Sequence, residues 1–395
     1  MSKKTIVICG NFLVPDGNAA GKRVLGLGYI FQDLGFDVAF IGIDSDITSV
    51  ESQKCSQSNI VPDDFKSYSF PQKKNIFDWL KITSSYNQCI TIFDEIGIKN
   101  IELIITYGSP VLSIWVSKIY KWAHNHGIKT AFDCVDWIER INKSIIFNLI
   151  KFVDTNYQKR IAAKKADGII VISSYLEKYY TMSKKKTVRI PPVGIQMIVP
   201  TQNRQGIKLV YAGSPFSIGG RQSPQHFKDR LDLIIDLVDS LDIPGKTICL
   251  SIIGLTRDEY LKVVPRHRIC LGASEKIKFL GKMNNIEVIE EISNANFSIL
   301  IRDSKRVTNA GFPTKVSESL LLGIPVITNL TSDIADYITD GGNGIIIPHD
   351  ISLAKKKLTK VLSNRNSNTN AYRKNKCPFD YSLYLNKMET FLSTL

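Results

Sequence analysis

The chain has 395 residues, beyond the roughly 250–300 at which a single hydrophobic core stops growing, so two domains are expected. Hydrophobic residues make up 44% and charged residues 22%, as in an ordinary soluble globular protein, and no apolar run reaches the roughly 18 residues of a membrane span. Seven scattered cysteines without a C-x-x-C pair fit a reducing cytoplasm better than a disulfide framework and argue against a cysteine metal site, and the net charge of +14 is spread over both halves rather than gathered in a basic tail. Such a charge suits phosphate-rich ligands or an anionic membrane surface; it also suits a solvated, lysine-rich surface with no specific partner.

The opening MSKKTIVICG lacks the longer apolar segment and small-residue cleavage site of a signal peptide, so a cytoplasmic protein is expected. Residues 4–10 read as a strand. A loop follows, then a helix whose apolar positions Val24, Leu27, Phe31 and Leu34 recur at helical spacing and which Gly35 stops. Strand 37–43, a polar irregular stretch 44–75, helix 76–96, strand 101–108, helix 110–125, strand 129–135, a long helix 144–166 and strand 168–173 continue the alternation. This βα repetition argues for a parallel, doubly wound sheet.

The Pro- and Gly-rich segment 190–206 reads as an interdomain hinge. A second wound half begins at strand 207–214 and continues through helix 226–242 and strands 247–254, 277–281, 296–301, 324–329 and 343–348. A polar loop, 363–376, leads to a last helix at 381–392, beyond the second sheet's final strand and free to return to the first domain. The expected organisation is therefore 1–195, 206–375 and a crossover helix in 376–395. Two wound domains imply a cleft, and ligands of open parallel sheets bind beyond the carboxyl ends of the strands, so the loops there carry the argument.

After the first strand, Gly17 and Gly21 relax the backbone before a helix N-terminus, which can offer N–H groups to an anion, with Arg23 as an added cation; a plain capped turn is the other reading. The spacing is not G-x-G-x-x-G, which removes the dinucleotide fingerprint and with it an oxidoreductase. In 212–230, Gly213 permits close approach of a ligand, and Lys228 and Arg230 open a helix, where cations are unfavourable unless an anion is near; surface lysines on an amphipathic helix are the alternative. In 301–315, Arg302, Lys305, Arg306 and Lys315 converge on a helix start at Pro313–Thr314, an arrangement that holds a diphosphate without a metal. Glu318, one turn on, can accept both hydroxyls of a ribose diol, or pair with Lys315 at i,i+3 on a solvated face. Asp44-Ser45-Asp46 has the D-x-D form of a metal-diphosphate site but reads as an acidic loop, and His124-Asn125-His126 ends a helix where residues two apart do not face each other. Neither G-x-S-x-G nor H-E-x-x-H occurs. Group transfer from a nucleotide-activated donor fits best.

Residues 206–350, above all GFPTKVSESLLLGIPVITN with YAGS, LSIIG, IKFLG and NGIIIP in order, and more loosely NAAGKRVLGLGYIFQDLGFDV, AFDCVDW and KKADGIIVISSYL, resemble retaining glycosyltransferases of family 4. The resemblance implies a GT-B fold: two Rossmann-like, doubly wound domains facing a cleft. It implies transfer of a sugar, with retention, from a nucleotide-diphosphate sugar to a glycan or polyprenyl-linked acceptor in bacterial surface polysaccharide synthesis. Neither a metal nor another cofactor is implied, and no nucleic-acid partner. The family's ribose glutamate falls on Glu318, its phosphate- and sugar-holding backbone on Gly311 and Phe312 with Thr314 nearby, its diphosphate lysine on Lys228, its first glycine loop on Gly17, and its nucleobase contacts on Lys282 and Met283.

Two positions depart from the family pattern. Ala310 stands where a donor-contacting glutamate is usual, and Val135-Asp136 where a His-Asp pair is; Arg302 and Asp136 are the residues left to take over those roles. The candidate catalytic residues are thus Lys228, Arg302 and Asp136, with the acceptor approaching near Tyr107, Ser109 and Asp136. The departures also favour a second possibility, a catalytically silent homologue that binds nucleotide sugar or a partner enzyme. Residues 144–165, apolar at the start and cationic at the end, read either as a peripheral contact with the inner face of the cell membrane or as an ordinary helix.

Overall fold

The computed structural model describes residues 3–13, 17–44, 51–54, 65–71, 82–107, 113–137, 152–197, 206–216, 227–363 and 376–395. The chain divides into two compact units, Met1–Gly194 with Tyr381–Leu395, and Ile195–Asp380.

The first unit holds eight strands: β1 Thr5–Gly10, β2 Asp37–Asp44, β3 Glu51–Lys54, β4 Lys66–Pro71, β5 Ile101–Tyr107, β6 Lys129–Cys134, β7 Gly168–Val171 and β8 Lys186–Arg189. They lie in the order β3-β4-β2-β1-β5-β6-β7-β8, parallel except where β3 runs antiparallel to β4. The second unit holds β9 Ile207–Ala212, β10 Ile248–Ile253, β11 Ile277–Gly281, β12 Phe297–Leu300, β13 Val326–Thr328 and β14 Gly344–Ile346, all parallel, in the order β11-β10-β9-β12-β13-β14. The winding reverses beside β1 in one sheet and beside β9 in the other, the position at which open parallel sheets bind their ligands.

Both sheets read from the sequence are present, with three strands more than the pattern announced. The stretch 44–75, expected to be irregular, carries β3 and β4. In β4 both faces are covered: Ser67 and Ser69 are as buried as Tyr68 and Phe70, so the serines erased the apolar alternation that marks a strand. β8 is a short, cationic edge strand, a composition that protects sheet edges and hides them from hydrophobic patterning. The helix expected over 226–242 is shorter, Leu231–Ser240, because Asp229 and Arg230 are drawn into ion pairs ahead of it. The long helix expected over 144–166 is described from residue 152 and turns into a π-helical stretch, Gln158–Ala162; its residues 144–151, with Ser109, Ser45 and Asp46, lie outside the described residues.

Glycines tighten the first core. Within helix Ala19–Asp33, a Cβ at Gly26 would overlap the Val193 carbonyl, and one at Gly28 would come to 2.7 Å from Phe40. The last helix, Leu385–Thr394, belongs to the first unit: Met388 and Phe391 enter its core, and Gly168 on β7 leaves room for Phe391 and Leu395. Ahead of it, Tyr381 donates its backbone N–H to the Gly194 carbonyl at 3.0 Å.

Candidate functional site

The carboxyl edge of the second sheet is a floor of glycines. Gly213, Gly254 and Gly281 end β9, β10 and β11 with φ of 138°, 111° and 70°, a region that side-chain-bearing residues avoid. Gly213 donates its N–H to Ile253 at 2.9 Å, Gly254 to Gly281 at 2.7 Å, and a Cβ on Gly254 would stand 2.8 Å from the Gly213 carbonyl oxygen. A Cβ on Gly213 would overlap the Lys315 Cε and reach 2.5 Å from its Nζ. The space that Gly213 was expected to leave for a ligand is therefore filled by the stem of Lys315.

Lys315 is the second residue of helix Thr314–Leu321, whose cap, Pro313, gives no side-chain hydrogen bond. Its ammonium donates to the Asp229 carboxylate and, at 3.0 Å, to the Tyr211 hydroxyl, and lies 4.5 Å from the Tyr211 ring centroid. Asp229 also accepts from Arg302 Nε at 2.7 Å and from the Tyr211 hydroxyl at 2.9 Å. Side-chain exposure is 1% for Asp229, 5% for Arg302 and 19% for Lys315. Burial by itself raises the Asp229 carboxyl, but Arg302 and Lys315 overcome it and hold the group well below the usual carboxylate range. Burial lowers the Lys315 ammonium; Asp229 opposes that, while Arg302 reinforces it.

This revises two sequence readings. Arg302, expected to face the donor, is committed to Asp229 through its side chain, while its backbone N–H and C=O are clamped by the Asn329 amide at 2.9 and 2.8 Å. Arg230, read as a cation awaiting an external anion, is answered from within the protein, by Asp232 at 2.9 Å and Asp303 at 2.8 Å. Asp303 gathers Lys305 and His349 as well, at 2.7 and 2.9 Å; burial raises its carboxyl, and these partners bring it below the ordinary value.

The remaining donor candidates surround this cluster in sequence and fold. Lys228 is exposed, directly before Asp229, with its backbone N–H on the Pro215 carbonyl at 3.2 Å. Glu318 is half-buried one turn beyond Lys315, whose ammonium goes to Asp229 rather than into the i,i+3 pair that the spacing allowed. Gly311 and Phe312 lie between helix Arg306–Ala310 and Thr314; Phe312 is buried against Tyr337 and Phe379, and Ser332, at φ 49°, donates its hydroxyl to the Gly311 carbonyl at 2.6 Å. Ala310 is fully buried, so its position faces the protein interior. Lys282 is exposed and Met283 half-buried after β11, where Asn284 caps the next helix in a capping box with Glu287.

In the first unit, Gly17 is exposed beside Asn18, whose Oδ1 caps helix Ala19–Asp33 by accepting from Gly21 N–H at 2.7 Å. Arg23, read as a possible ligand contact, is sealed inside. Its Nη2 and Nε donate to the two Asp133 oxygens at 3.0 and 3.2 Å, and its Nη1 to the Ile190 and Pro191 carbonyls. Tyr107 is half-exposed at the end of β5, and burial with the charges of Asp133 and Asp136 pushes its hydroxyl far above the usual tyrosine range. Asp136, 42% exposed at its side chain, is held at 2.8 Å by Lys159, a 5% exposed lysine from the π-helical stretch that the sequence reading passed over. Tyr180 fixes that turn by donating to the Lys159 carbonyl at 3.1 Å. His124 and His126 serve local structure, the first on Asp167 at 3.1 Å and the second tilted against the Trp122 ring. Among the described residues, no three His, Cys, Asp or Glu side chains gather as metal ligands would, and no helix is long and apolar enough to cross a membrane.

Arranged this way, the second unit's edge brings together glycine strand ends crossed by the stem of Lys315, that partly exposed cation itself, a helix N-terminus without a side-chain cap and a carboxylate one turn on. The sequence model of the family described as Glycosyl transferases group 1 matches residues 226–376, the segment that contains Asp229, Arg302, Lys315 and Glu318. Among solved structures, Anabaena Alr3699/HepE in complex with UDP is similar over 99% of this chain and 100% of its own, with 12% identity and a TM-score of 0.64. Sucrose-phosphate synthase (tll1590) from Thermosynechococcus elongatus matches over 99% and 98%, with 12% identity and a TM-score of 0.67. A glycosyltransferase from Rickettsia africae ESF-5 matches over 100% and 99%, with 14% identity and a TM-score of 0.64. The fold is GT-B. No curated protein matches the chain by sequence. In GT-B terms the family match falls on the second Rossmann-like unit, and the likeness in fold extends over both.

Proposed function

We propose that this protein is a glycosyltransferase that takes a sugar from a nucleoside-diphosphate donor and passes it, with retention and without a metal, to a glycan or lipid-linked acceptor in bacterial surface polysaccharide synthesis. The observation that carries the reading is the second sheet's switch-point edge: glycine strand ends, the N-terminus of helix Thr314–Leu321 and half-buried Glu318 lie within the segment that matches the glycosyltransferase model. Glu318 would accept the two ribose hydroxyls. The exposed Lys228 and the helix N-terminus would take up the negative charge that grows on the leaving diphosphate as the bond from the anomeric carbon to the phosphate oxygen breaks. Asp136, braced by Lys159, would orient the acceptor hydroxyl, with Tyr107 close by. Exposed Phe152, Val153 and Ile161 beside exposed Arg160 and Lys165 support a peripheral contact with the inner face of the membrane.

Isothermal titration of the purified protein with UDP, GDP and ADP tests the nucleotide site. At least one should bind, and Glu318→Ala should weaken it by about tenfold or more, the loss of hydrogen bonds to a charged group. Unchanged affinity in Glu318→Ala would remove the ribose assignment. Ala310, which is buried, and the half-buried Val135 favour one second reading, a nucleotide-sugar-binding homologue without turnover. Donor binding without release or transfer of any sugar across a nucleotide-sugar panel, with lipid-linked acceptors present, would select it.

A further inference from the structure

We propose that Lys315 is a second cation, beside Lys228, that receives the donor's diphosphate, and that Asp229 is a positioning residue that holds it over Gly213 for that purpose. The inference rests on the reading of this edge as a nucleotide site.

The first argument is charge. Asp229 stands between two cations, so the trio carries one surplus positive charge. Arg302 and Asp229 are sealed from solvent, and the surplus reaches the surface through Lys315, the one member with appreciable exposure. A purely structural ion pair needs no second cation. Desolvating one and placing it in the first turn of a helix, against the dipole, is unfavourable unless an anion answers it. Asp229 answers it by contact and Glu318, one turn on, at longer range; a diphosphate at the helix N-terminus would answer it directly.

The second argument is the route of the side chain. Lys315 crosses the end of β9, the switch-point strand, through space that exists because Gly213 has no side chain. Asp229 and the Tyr211 hydroxyl fix the ammonium. A long, flexible lysine is thereby held in place before ligand arrives, which removes the entropy cost of ordering it on binding. The charged and titratable groups facing Lys315 are Tyr211 on β9, Asp229 ahead of helix Leu231–Ser240, Arg302 after β12 and Glu318 on its own helix.

Lys315→Met leaves the balanced Asp229–Arg302 pair and tests the site directly. Titrated with the nucleoside diphosphate that the wild type binds, and with the matching nucleoside, it should lose about ten- to hundredfold in diphosphate affinity and nothing in nucleoside affinity. Lys315→Arg should recover part of the loss. Equal diphosphate affinity in wild type and Lys315→Met overturns the proposal while the nucleotide site stands; a wild type that binds no nucleotide removes the underlying reading instead. Asp229 is tested by pH. Without its carboxylate, burial and Arg302 both favour the neutral amine, so Asp229→Asn should lose diphosphate affinity at a lower pH than wild type between pH 7 and 10. Asp229→Asn/Lys315→Arg, whose guanidinium does not titrate there, should restore a flat profile. Where Asp229→Asn does not fold, Asp229→Glu displaces the ammonium and should weaken the diphosphate but not the nucleoside. Parallel pH profiles for wild type and Asp229→Asn, or equal diphosphate affinities for wild type and Asp229→Glu, overturn the positioning role.

Discussion

The two units each place a buried aspartate against an arginine at the carboxyl end of a parallel sheet, and they use the pair differently. In the first unit Asp133 and Arg23 balance one another, both at 1% exposure or less, and the two Nη1 hydrogen bonds of the guanidinium go to the carbonyls of Ile190 and Pro191. In the second unit Asp229 is shared by Arg302 and Lys315, and the cluster opens to solvent on its lysine side. A closed, balanced pair ties helix Ala19–Asp33 to β6 and to the segment after β8. An open, unbalanced one leaves charge for a ligand. The same residue types at similar places in two wound sheets thus divide into structure and binding by whether the charges cancel.

The largest expected effect breaks the closed pair. Arg23→Met strands Asp133 without a counter-ion in a dry site and should cost about 3–5 kcal/mol in denaturant unfolding; a loss under about 1 kcal/mol would mean that the two centres do not differ in kind. Acid comes next. The folded Asp229 carboxyl lies below the roughly 3.9 of an unfolded aspartate, so its stabilisation is present above about pH 4 and is lost as the pH falls through the folded value. Asp236 and Asp303 act in the same direction. The thermal midpoint should hold from pH 7 to about pH 5 and fall steeply below about pH 4, less steeply in Lys315→Met, which removes one of the two cations that depress Asp229. The smallest effect is on the stability of Lys315→Met at neutral pH, which should change by less than about 1 kcal/mol, because a balanced pair remains. A loss as large as that of Arg23→Met would make Lys315 a structural residue and close the comparison.

Much of the frame was legible in the sequence. The alternation of apolar strands with helices stopped by glycine gave two parallel sheets, and YAGS, LSIIG and IKFLG marked the strand ends that form the glycine floor. What escaped was structure whose burial comes from neighbours. β4 hides serines under other elements, and β8 is charged because it is an edge. Lys159 sits in a helical run that gives no sign of its π turn, so its hold on Asp136 had no local signal.

Charges show the division most clearly. From the order of residues alone, Arg23, Arg230, Arg302 and Lys315 are four cations near loops that follow strands, each equally able to meet a phosphate. The sign and reach of a side chain are local properties, and the sequence determines them. The partner is not local: Asp133 is 110 residues from Arg23, Asp303 is 73 from Arg230, and Asp229 is 73 from Arg302 and 86 from Lys315. Only the winding of each sheet brings these groups within a few ångströms, where burial strengthens the attraction between them and decides which charges cancel. Tertiary structure therefore withdrew three of the four cations from the surface chemistry and left Lys315 at its edge.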